Sequence, residues 1–186
     1  GVLTEAGTGL LKGRIPQSDA EVVKNATEAG LICLGKTHMS ELAFSGLGLN
    51  PVTQSPPCIN NFDAVAGGSS SGAAASVAFN LASCGIGSDT GGSVRVPSAW
   101  NDLVGLKTTA GRLSLQGVVP LSESFDTVGP LCRTVSDANL MLSALEGSKA
   151  ADLSHSSLDG VKILIIENVV MDNLCSDSQN SFNNVI

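Results

Sequence analysis

The sequence contains no tyrosine, and aromatic residues make up only 3% of its 186 residues. A surface that stacks on unpaired bases needs exposed aromatic rings, so the composition argues against that type of nucleic-acid binding. Charged residues are also scarce, at 15%, and the formal net charge is −7. An acidic chain is not attracted to phosphate backbones, so no direct nucleic-acid contact is expected. A nucleic-acid substrate would have to be held by a separate basic partner.

Cysteine spacing and apolar runs exclude further classes of protein. The five cysteines are odd in number and include no CxxC pair, which argues against a disulfide framework and favours a reducing, cytoplasmic compartment. No apolar run reaches the roughly 18 residues that a membrane span requires. The two histidines, His38 and His155, form no metal-ligand cluster with each other or with a CxxC pair. We therefore expect no membrane segment, no metal and no cofactor.

The sequence is rich in glycine, with 21 residues, and 42% of its residues are hydrophobic. This composition predicts a globular domain whose core is built from Ala, Val, Leu and Ile. The chain begins at Gly1 without a methionine and stops just after the polar run 177–182, which is typical of the start of a helix. We interpret residues 1–186 as a single partial domain of a longer protein, truncated at both ends.

The pattern of apolar residues predicts an α/β fold, with a mixed and largely buried sheet covered by helices. Helices are expected after a capping box at Ser18–Glu21, over residues 70–79, and from a cap at Thr134 to a stop at Gly147. Strands are expected at residues 31–34, 82–86, 103–107, 113–119 and 161–166. Residues 45–68 are predicted to form a long irregular loop, which is unusual in a compact domain unless it is functional.

Serine and glycine concentrate in two short segments, residues 67–72 (GGSSSG) and residues 89–93 (DTGGS). One predicted helix and one predicted strand separate them, which can bring both segments to the same edge of a sheet. Glycines 91 and 92 allow a tight turn whose successive N–H groups face one concavity. Ser93 ends this turn, where those groups could stabilise an oxyanion, as amide hydrolysis requires. The alternative is an ordinary Gly-rich turn with exposed serines.

Other motifs compete with this interpretation. Residues 68–72 fit G-x-S-x-G, the nucleophile elbow of α/β-hydrolases, which would make Ser70 the nucleophile. An elbow follows a strong strand, however, and residues 63–67 are a poor one; its acid and base would be residues such as Asp126 and His155. No phosphate-binding G-x-x-x-x-G-K-[ST] loop occurs, and a dinucleotide fingerprint fails at Thr90. Because the two histidines are poor candidates for the base of a Ser-His-Asp triad, a lysine is the better candidate base.

Several blocks, in the right order, resemble the amidase signature family. They are residues 67–72 (GGSSSG), 87–97 (GSDTGGSVRVP) and 104–107 (VGLK), flanked by 34–41 (LGKTHMSE) and 126–131 (DTVGPL). The spacing of 24 residues between Ser69 and Ser93 also fits the family pattern. The resemblance is strong from about residue 6 to residue 145, with a signature core at about 31–135. It implies the amidase signature fold and a serine amide hydrolase.

The resemblance implies a Ser–cis-Ser–Lys triad. Ser93 would attack the amide carbonyl and form an acyl-enzyme. Ser69, on a cis peptide after Gly68, would relay the proton between Ser93 and the lysine. The oxyanion hole would consist of backbone N–H groups around Thr90, Gly91, Gly92 and Ser93. The neighbouring residues that support this loop would be Asp89, Arg95 and Ser70.

The lysine of this triad is expected upstream of Gly1. Lys36 matches a different family position, and Lys12, which precedes the capping box, does not match the triad position either, so neither is assigned to the triad. The C-terminal half that shapes the substrate pocket is also expected to lie outside the chain. We therefore predict that these 186 residues alone have little or no amidase activity.

Three functions remain open at this point. The leading hypothesis is hydrolysis of a small-molecule carboxamide, with release of ammonia or an amine. The first alternative is the A subunit of a glutamine-dependent tRNA amidotransferase, which supplies ammonia to partner subunits. The second is a non-catalytic or degenerate fragment. Homo-oligomers and amidotransferase complexes are both compatible with the sequence.

Overall fold

The computed structural model describes all 186 residues, which form two compact units, Gly1–Ala151 and Asp152–Ile186. The α-helices are α1 (Glu21–Glu28), α2 (Ser71–Ala78), α3 (Arg95–Trp100), α4 (Val135–Glu146) and α5 (Ser176–Asn183). The strands are β1 (Pro57–Cys58), β2 (Asn61–Val65), β3 (Gly85–Asp89), β4 (Val104–Gly105) and β5 (Thr127–Cys132). Short 3₁₀ helices lie at Gly9–Leu11 and Glu41–Ala43. None of these helices combines the length and the apolar character that crossing a bilayer demands.

The central sheet of the first unit has the strand order β3-β5-β4, and both of its pairings are antiparallel. The register places Asp89 opposite Thr127 and Gly85 opposite Leu131. Every residue of β5 is buried, because other strands flank both of its edges and apolar clusters cover both faces of the sheet. Strands β1 and β2 form a separate antiparallel hairpin.

Side chains of β5 alternate between two apolar clusters, as the two-residue period of a strand dictates. Val128 and Cys132 face a cluster that includes residues of α1 and α4. Leu131 faces the opposite cluster, with Ala73 and Ala74 of α2. The small side chains of α2 permit a close approach to β3: a Cβ on Gly85 would lie 3.0 Å from the carbonyl oxygen of Ala73. The sheet is thereby fixed between helices on both faces.

Two of these three predicted helices are confirmed, one of them with its predicted caps, and the third begins differently. Helix α2 covers the predicted 70–79 segment, and α4 begins after Thr134 and ends at Gly147, whose φ is +65°. The capping box at Ser18 is wrong: α1 begins after Ala20, and no side chain caps it. Instead, the N–H of Glu21 donates to the carbonyl of Gln116 at 3.2 Å, so a neighbouring segment satisfies this N–H group.

The strand predictions are only partly correct. Strand β3 starts later than the predicted 82–86, because the N–H groups of Leu81 and Ala82 donate to the Ser76 carbonyl at the end of α2. Only Val104–Gly105 of the 103–107 segment pairs with a strand. The predicted strands at residues 31–34, 113–119 and 161–166 are not formed. These apolar runs have no hydrogen-bonded neighbour strand, and Ile32 and Leu164 are 85% and 91% exposed.

The predicted loop at residues 45–68 is also wrong in part, because it contains the β1–β2 hairpin. The assignment of residues 1–186 to one partial domain, with upstream and C-terminal parts outside it, stays a prediction.

The two expected caps provide a matched test of helix stability. The Thr134 hydroxyl accepts a hydrogen bond from the Asp137 N–H at 3.0 Å, whereas the exposed Ser18 caps nothing. We expect Thr134→Ala to lower the free energy of unfolding by about 1 kcal/mol, and Ser18→Ala to leave it unchanged. Urea unfolding monitored by circular dichroism measures both values. Equal losses in the two variants would show that the observed cap of α4 has no special role.

Candidate active site

The Asp89 carboxylate is the centre of the Gly-rich turn 89–95. Asp89 ends β3, and its side chain is fully buried. One oxygen accepts hydrogen bonds from the Gly92 N–H at 2.7 Å and the Arg95 Nη2 at 3.0 Å. The other accepts from the Val94 N–H, the Arg95 N–H and the Arg95 Nε at 3.1, 3.3 and 3.0 Å. The backbone carbonyl of Asp89 also accepts a hydrogen bond from the Thr127 hydroxyl at 2.7 Å. The turn is thus closed around one carboxylate and fastened to β5.

Electrostatics keep this carboxylate ionised. Burial alone would raise the pKa of Asp89, but the hydrogen bonds from the Arg95 guanidinium and from backbone N–H groups outweigh it and lower the pKa below its usual value. Asp89 in turn raises the pKa of Arg95. Asp89 and Arg95 therefore hold the loop that carries Ser93.

The other serine-rich segment, residues 67–72, is joined to this turn by backbone hydrogen bonds. The Ser70 N–H donates to the Ser93 carbonyl at 3.2 Å, and the Ser40 N–H donates to the Ser69 carbonyl at 3.0 Å. The Gly68 N–H donates to the Gly46 carbonyl at 2.8 Å. The peptide bond between Gly68 and Ser69 is cis. The structure thus brings the two segments together, with residues 40–46 packed alongside.

The Ser69 hydroxyl is completely buried and makes no hydrogen bond within the chain. A buried hydroxyl without a partner is costly, so such a group in a folded protein requires an explanation. Neither Lys12 nor Lys36 hydrogen-bonds to it, in keeping with their omission from the triad. The Ser69 oxygen is therefore free to receive a polar partner.

Ser93 lines a hollow of about 300 Å³ beside the turn. The residues around it are uncharged: Ala43, Phe44, Ser45, Gly46, Gly68, Thr90, Gly91, Gly92, Ser93, Val96 and Leu121. A larger hollow of about 470 Å³ borders Ser70 and residues 86–88, but it does not include Ser93. The smaller hollow is therefore the one that could admit a substrate to Ser93.

The oxyanion-hole prediction needs one correction. The Gly92 N–H donates to Asp89 Oδ1 at 2.7 Å, so this donor is committed to the carboxylate and does not face the hollow. The N–H groups of Thr90, Gly91 and Ser93 make no hydrogen bond within the chain. These three groups remain the candidates for binding an oxyanion.

The nucleophile-elbow alternative has no geometric support. Ser70 does follow a strand, because β2 ends at Val65, which corrects the expectation that this segment is not a strand. The Ser70 hydroxyl, however, is buried and hydrogen-bonds to the backbone of Ser88, as both donor and acceptor at 3.3 Å. Asp126, its proposed acid, instead accepts hydrogen bonds from Thr90 and from the N–H groups of Leu121 and Ser122. Ser70 thus joins α2 to β3.

Two supporting residues were not identified from the sequence. Asp126 accepts a hydrogen bond from the Thr90 hydroxyl, inside the Gly-rich turn 89–95. The buried Ser40 hydroxyl donates to the Ser45 carbonyl at 3.0 Å and shapes the segment beside Gly68. Both residues lie in the flanking blocks 34–41 and 126–131. The family resemblance of these blocks was the available signal. Which groups Ser40 and Asp126 contact depends on how distant parts of the chain meet in the fold, and the sequence alone does not show this.

Fold and site together define an α/β domain that presents a serine on an Asp-braced glycine turn, and comparisons with known proteins identify its family. The family model described as Amidase matches residues 1–170. The chain is 43% identical over 159 residues to the A subunit of the glutamyl-tRNA(Gln) amidotransferase of Anaeromyxobacter sp. (strain K), covering 84% of this chain and 32% of that protein. The chain belongs to the amidase family.

Solved structures agree with this assignment. The native peptide amidase from Stenotrophomonas maltophilia is 42% identical, with a TM-score of 0.73, over 77% of this chain and 30% of that one. The A subunit of the glutamyl-tRNA(Gln) amidotransferase from Thermotoga maritima is 31% identical, with a TM-score of 0.75, over 82% and 35%. The predicted amidase signature fold is confirmed. The chain spans about a third of the length of these relatives.

Asp89 provides a test of the turn. We expect Asp89→Asn to lower the free energy of unfolding by about 3 kcal/mol. The substitution removes the buried charge and replaces one of the two acceptor oxygens with an NH₂ donor. Arg95→Ala should cost about 1 kcal/mol, since the Arg95 side chain is half exposed. Urea unfolding of both variants at pH 7 gives the comparison.

The pH dependence of the same variant has a defined sign. Because the folded pKa of Asp89 is lowered, its contribution is present above the unfolded value of about 3.9 and is lost as pH falls through the folded pKa. The stability gap between wild type and Asp89→Asn should therefore shrink as the pH is lowered from 7 to 3. A gap that stays constant with pH would refute the role of the ionised carboxylate.

Proposed function

We propose that the full-length protein is an amide hydrolase that cleaves a carboxamide C–N bond through an acyl-enzyme on Ser93. One observation carries the proposal: the turn braced by Asp89 holds Ser93 beside an open hollow, with the N–H groups of Thr90, Gly91 and Ser93 uncommitted. This combination of a serine with preorganised donors is what acyl transfer requires. Membership of the amidase family supports the same chemistry.

In this mechanism Ser93 Oγ attacks the amide carbonyl carbon, and the carbonyl oxygen becomes an oxyanion. Free N–H groups of the turn would stabilise that charge, as donors already oriented before the reaction. Collapse of the intermediate breaks the C–N bond, and the leaving amine takes up a proton. Water then hydrolyses the Ser93 ester and restores the hydroxyl.

Ser69 is proposed as the proton relay for these steps. Its buried hydroxyl has no partner within the chain, and its neighbour Ser70 is hydrogen-bonded to Ser93 through the backbone. A relay between Ser93 and a lysine would satisfy the Ser69 oxygen. The lysine of the family mechanism is expected outside these 186 residues.

A second candidate function follows from the relatives. Several similar curated proteins, at 40–43% identity, are named as the A subunits of glutamyl-tRNA(Gln) amidotransferases. Under this alternative the same Ser93 chemistry releases ammonia from glutamine for partner subunits. The two functions are separated by whether the full-length protein hydrolyses glutamine and copurifies with partner subunits. A small-molecule carboxamidase would hydrolyse simple carboxamides without such partners. A cytoplasmic location is proposed for both.

Serine substitutions in the full-length protein test the proposal. We expect Ser93→Ala to reduce kcat by several orders of magnitude and to abolish the acyl-enzyme, because the nucleophile is removed. Ser69→Ala should be severe but less complete, because proton transfer is impaired while the nucleophile stays in place. Steady-state assays on a panel of carboxamides, with the exposed Ser83→Ala as control, measure the effects. Near-normal turnover by Ser93→Ala would exclude Ser93 as the nucleophile.

A further inference from the structure

Two free cysteines lie at neighbouring strand ends of the central sheet, at the end of β3 opposite to Asp89. The last pair of the β3–β5 register is Gly85 with Leu131, and continuing that register by one residue places Cys84 opposite Cys132. Both are free thiols. Cys132 is the last residue of β5, and Cys84 immediately precedes β3.

The hydrogen-bonding pattern assigns this pair to the closer of the two antiparallel spacings. On β3, the N–H and C=O of Ser88 bond to the Ser70 hydroxyl, away from β5. On β5, the carbonyls of Val128 and Pro130 accept hydrogen bonds from Thr108 and Leu106, away from β3. Even-numbered residues of both strands therefore form non-hydrogen-bonded pairs.

As a non-hydrogen-bonded pair, Cys84 and Cys132 come within the range of a disulfide bond. In a non-hydrogen-bonded pair the Cα atoms are about 4.5 Å apart, and disulfides join residues whose Cα atoms lie about 4.4–6.8 Å apart. Residues directly opposite in a sheet also point to the same face. In agreement, Cys132 belongs to the apolar cluster between the sheet and α4, and Cys84 packs against that cluster.

The electrostatics of the thiols agree with their proximity. Burial raises the pKa of Cys132 to about 12, and Cys84 adds to the increase. Burial also raises the pKa of Cys84. Both side chains are therefore protonated thiols at neutral pH. Joining them in a disulfide removes two electrons, so an oxidant is required.

We propose that Cys84 and Cys132 form an oxidation site that closes to a reversible disulfide when the protein meets a peroxide. The sulfur of Cys84, the more exposed of the two, attacks one oxygen of hydrogen peroxide, giving a sulfenic acid and water. The Cys132 sulfur then displaces the sulfenic oxygen, which leaves as a second water with the thiol proton. Two thiols and one peroxide thus give one disulfide and two waters.

The bond would join the start of β3 to the end of β5. The loop that it closes, residues 84–132, contains Asp89, Ser93 and β4. Oxidation would therefore restrain the two strands on which the Ser93 turn is mounted. A thiol reductant would reverse the change.

Peptide mapping of the oxidised full-length protein tests the proposal. After reduction, desalting and brief treatment with hydrogen peroxide, non-reducing tryptic digestion should yield residues 37–95 linked to residues 113–133, with a mass about 2 Da below the sum of the free peptides, since two hydrogens are lost per disulfide. Dithiothreitol should separate the peptides. The thermal unfolding midpoint should rise on oxidation and return on reduction.

Matched variants distinguish the cysteines. Because residues 37–95 also contain Cys58, the linked peptide must persist in Cys58→Ala and in Cys33→Ser. It must disappear in both Cys84→Ser and Cys132→Ser. A linked peptide that survives in Cys84→Ser overturns the assignment. So does oxidation of the exposed Cys33 without any 84–132 linkage in the wild type.

Discussion

The buried carboxylate of Asp89 is the interaction on which the site depends. It ends a strand whose backbone is fixed by β5, and it accepts hydrogen bonds from two successive parts of the turn and from Arg95. A charge in this environment is stabilised only if its oxygens are fully hydrogen-bonded. The backbone is therefore forced to wrap around the carboxylate, and the position of Ser93 follows from that path. Glycine at 92, with φ +133°, allows the wrapping.

The same constraint explains why the Gly92 N–H is not a candidate donor to an oxyanion. The Gly92 N–H faces the carboxylate, so the turn uses part of its donor set for its own structure. The remaining donors lie on either side of Gly92 and stay uncommitted. The Gly92 N–H thus stabilises the turn, whereas the N–H groups of its neighbours are available to stabilise an oxyanion.

Local signals allowed much of the fold to be predicted, whereas features that depend on distant partners were missed. Thr134 and Gly147 mark the ends of α4 through residue-specific caps, so their positions were predictable. The apolar run at residues 31–34 has strong strand character, but a strand also requires a hydrogen-bonded neighbour, and Ile32 remains exposed. Ser18 has the sequence of a cap, yet the Gln116 carbonyl takes the Glu21 N–H.

For the candidate site, the serine and glycine motifs predicted that residues 67–72 and 89–93 lie at the same edge of the sheet. The two segments are indeed joined, through the Ser70 N–H and the Ser93 carbonyl. The allocation of individual N–H groups could not be predicted, because it depends on where the Asp89 oxygens lie in three dimensions. The contact of Asp126 with Thr90 was missed for the same reason.

The most direct test of the account is covalent labelling of the full-length protein by a fluorophosphonate, followed by fragmentation mass spectrometry of residues 37–95. That peptide contains Ser69, Ser70 and Ser93, so one spectrum compares all three serines under the same conditions. A single adduct on Ser93 is expected, and no adduct in Ser93→Ala. An adduct on Ser70, or hydrolysis that continues while Ser93 stays unmodified, would contradict it.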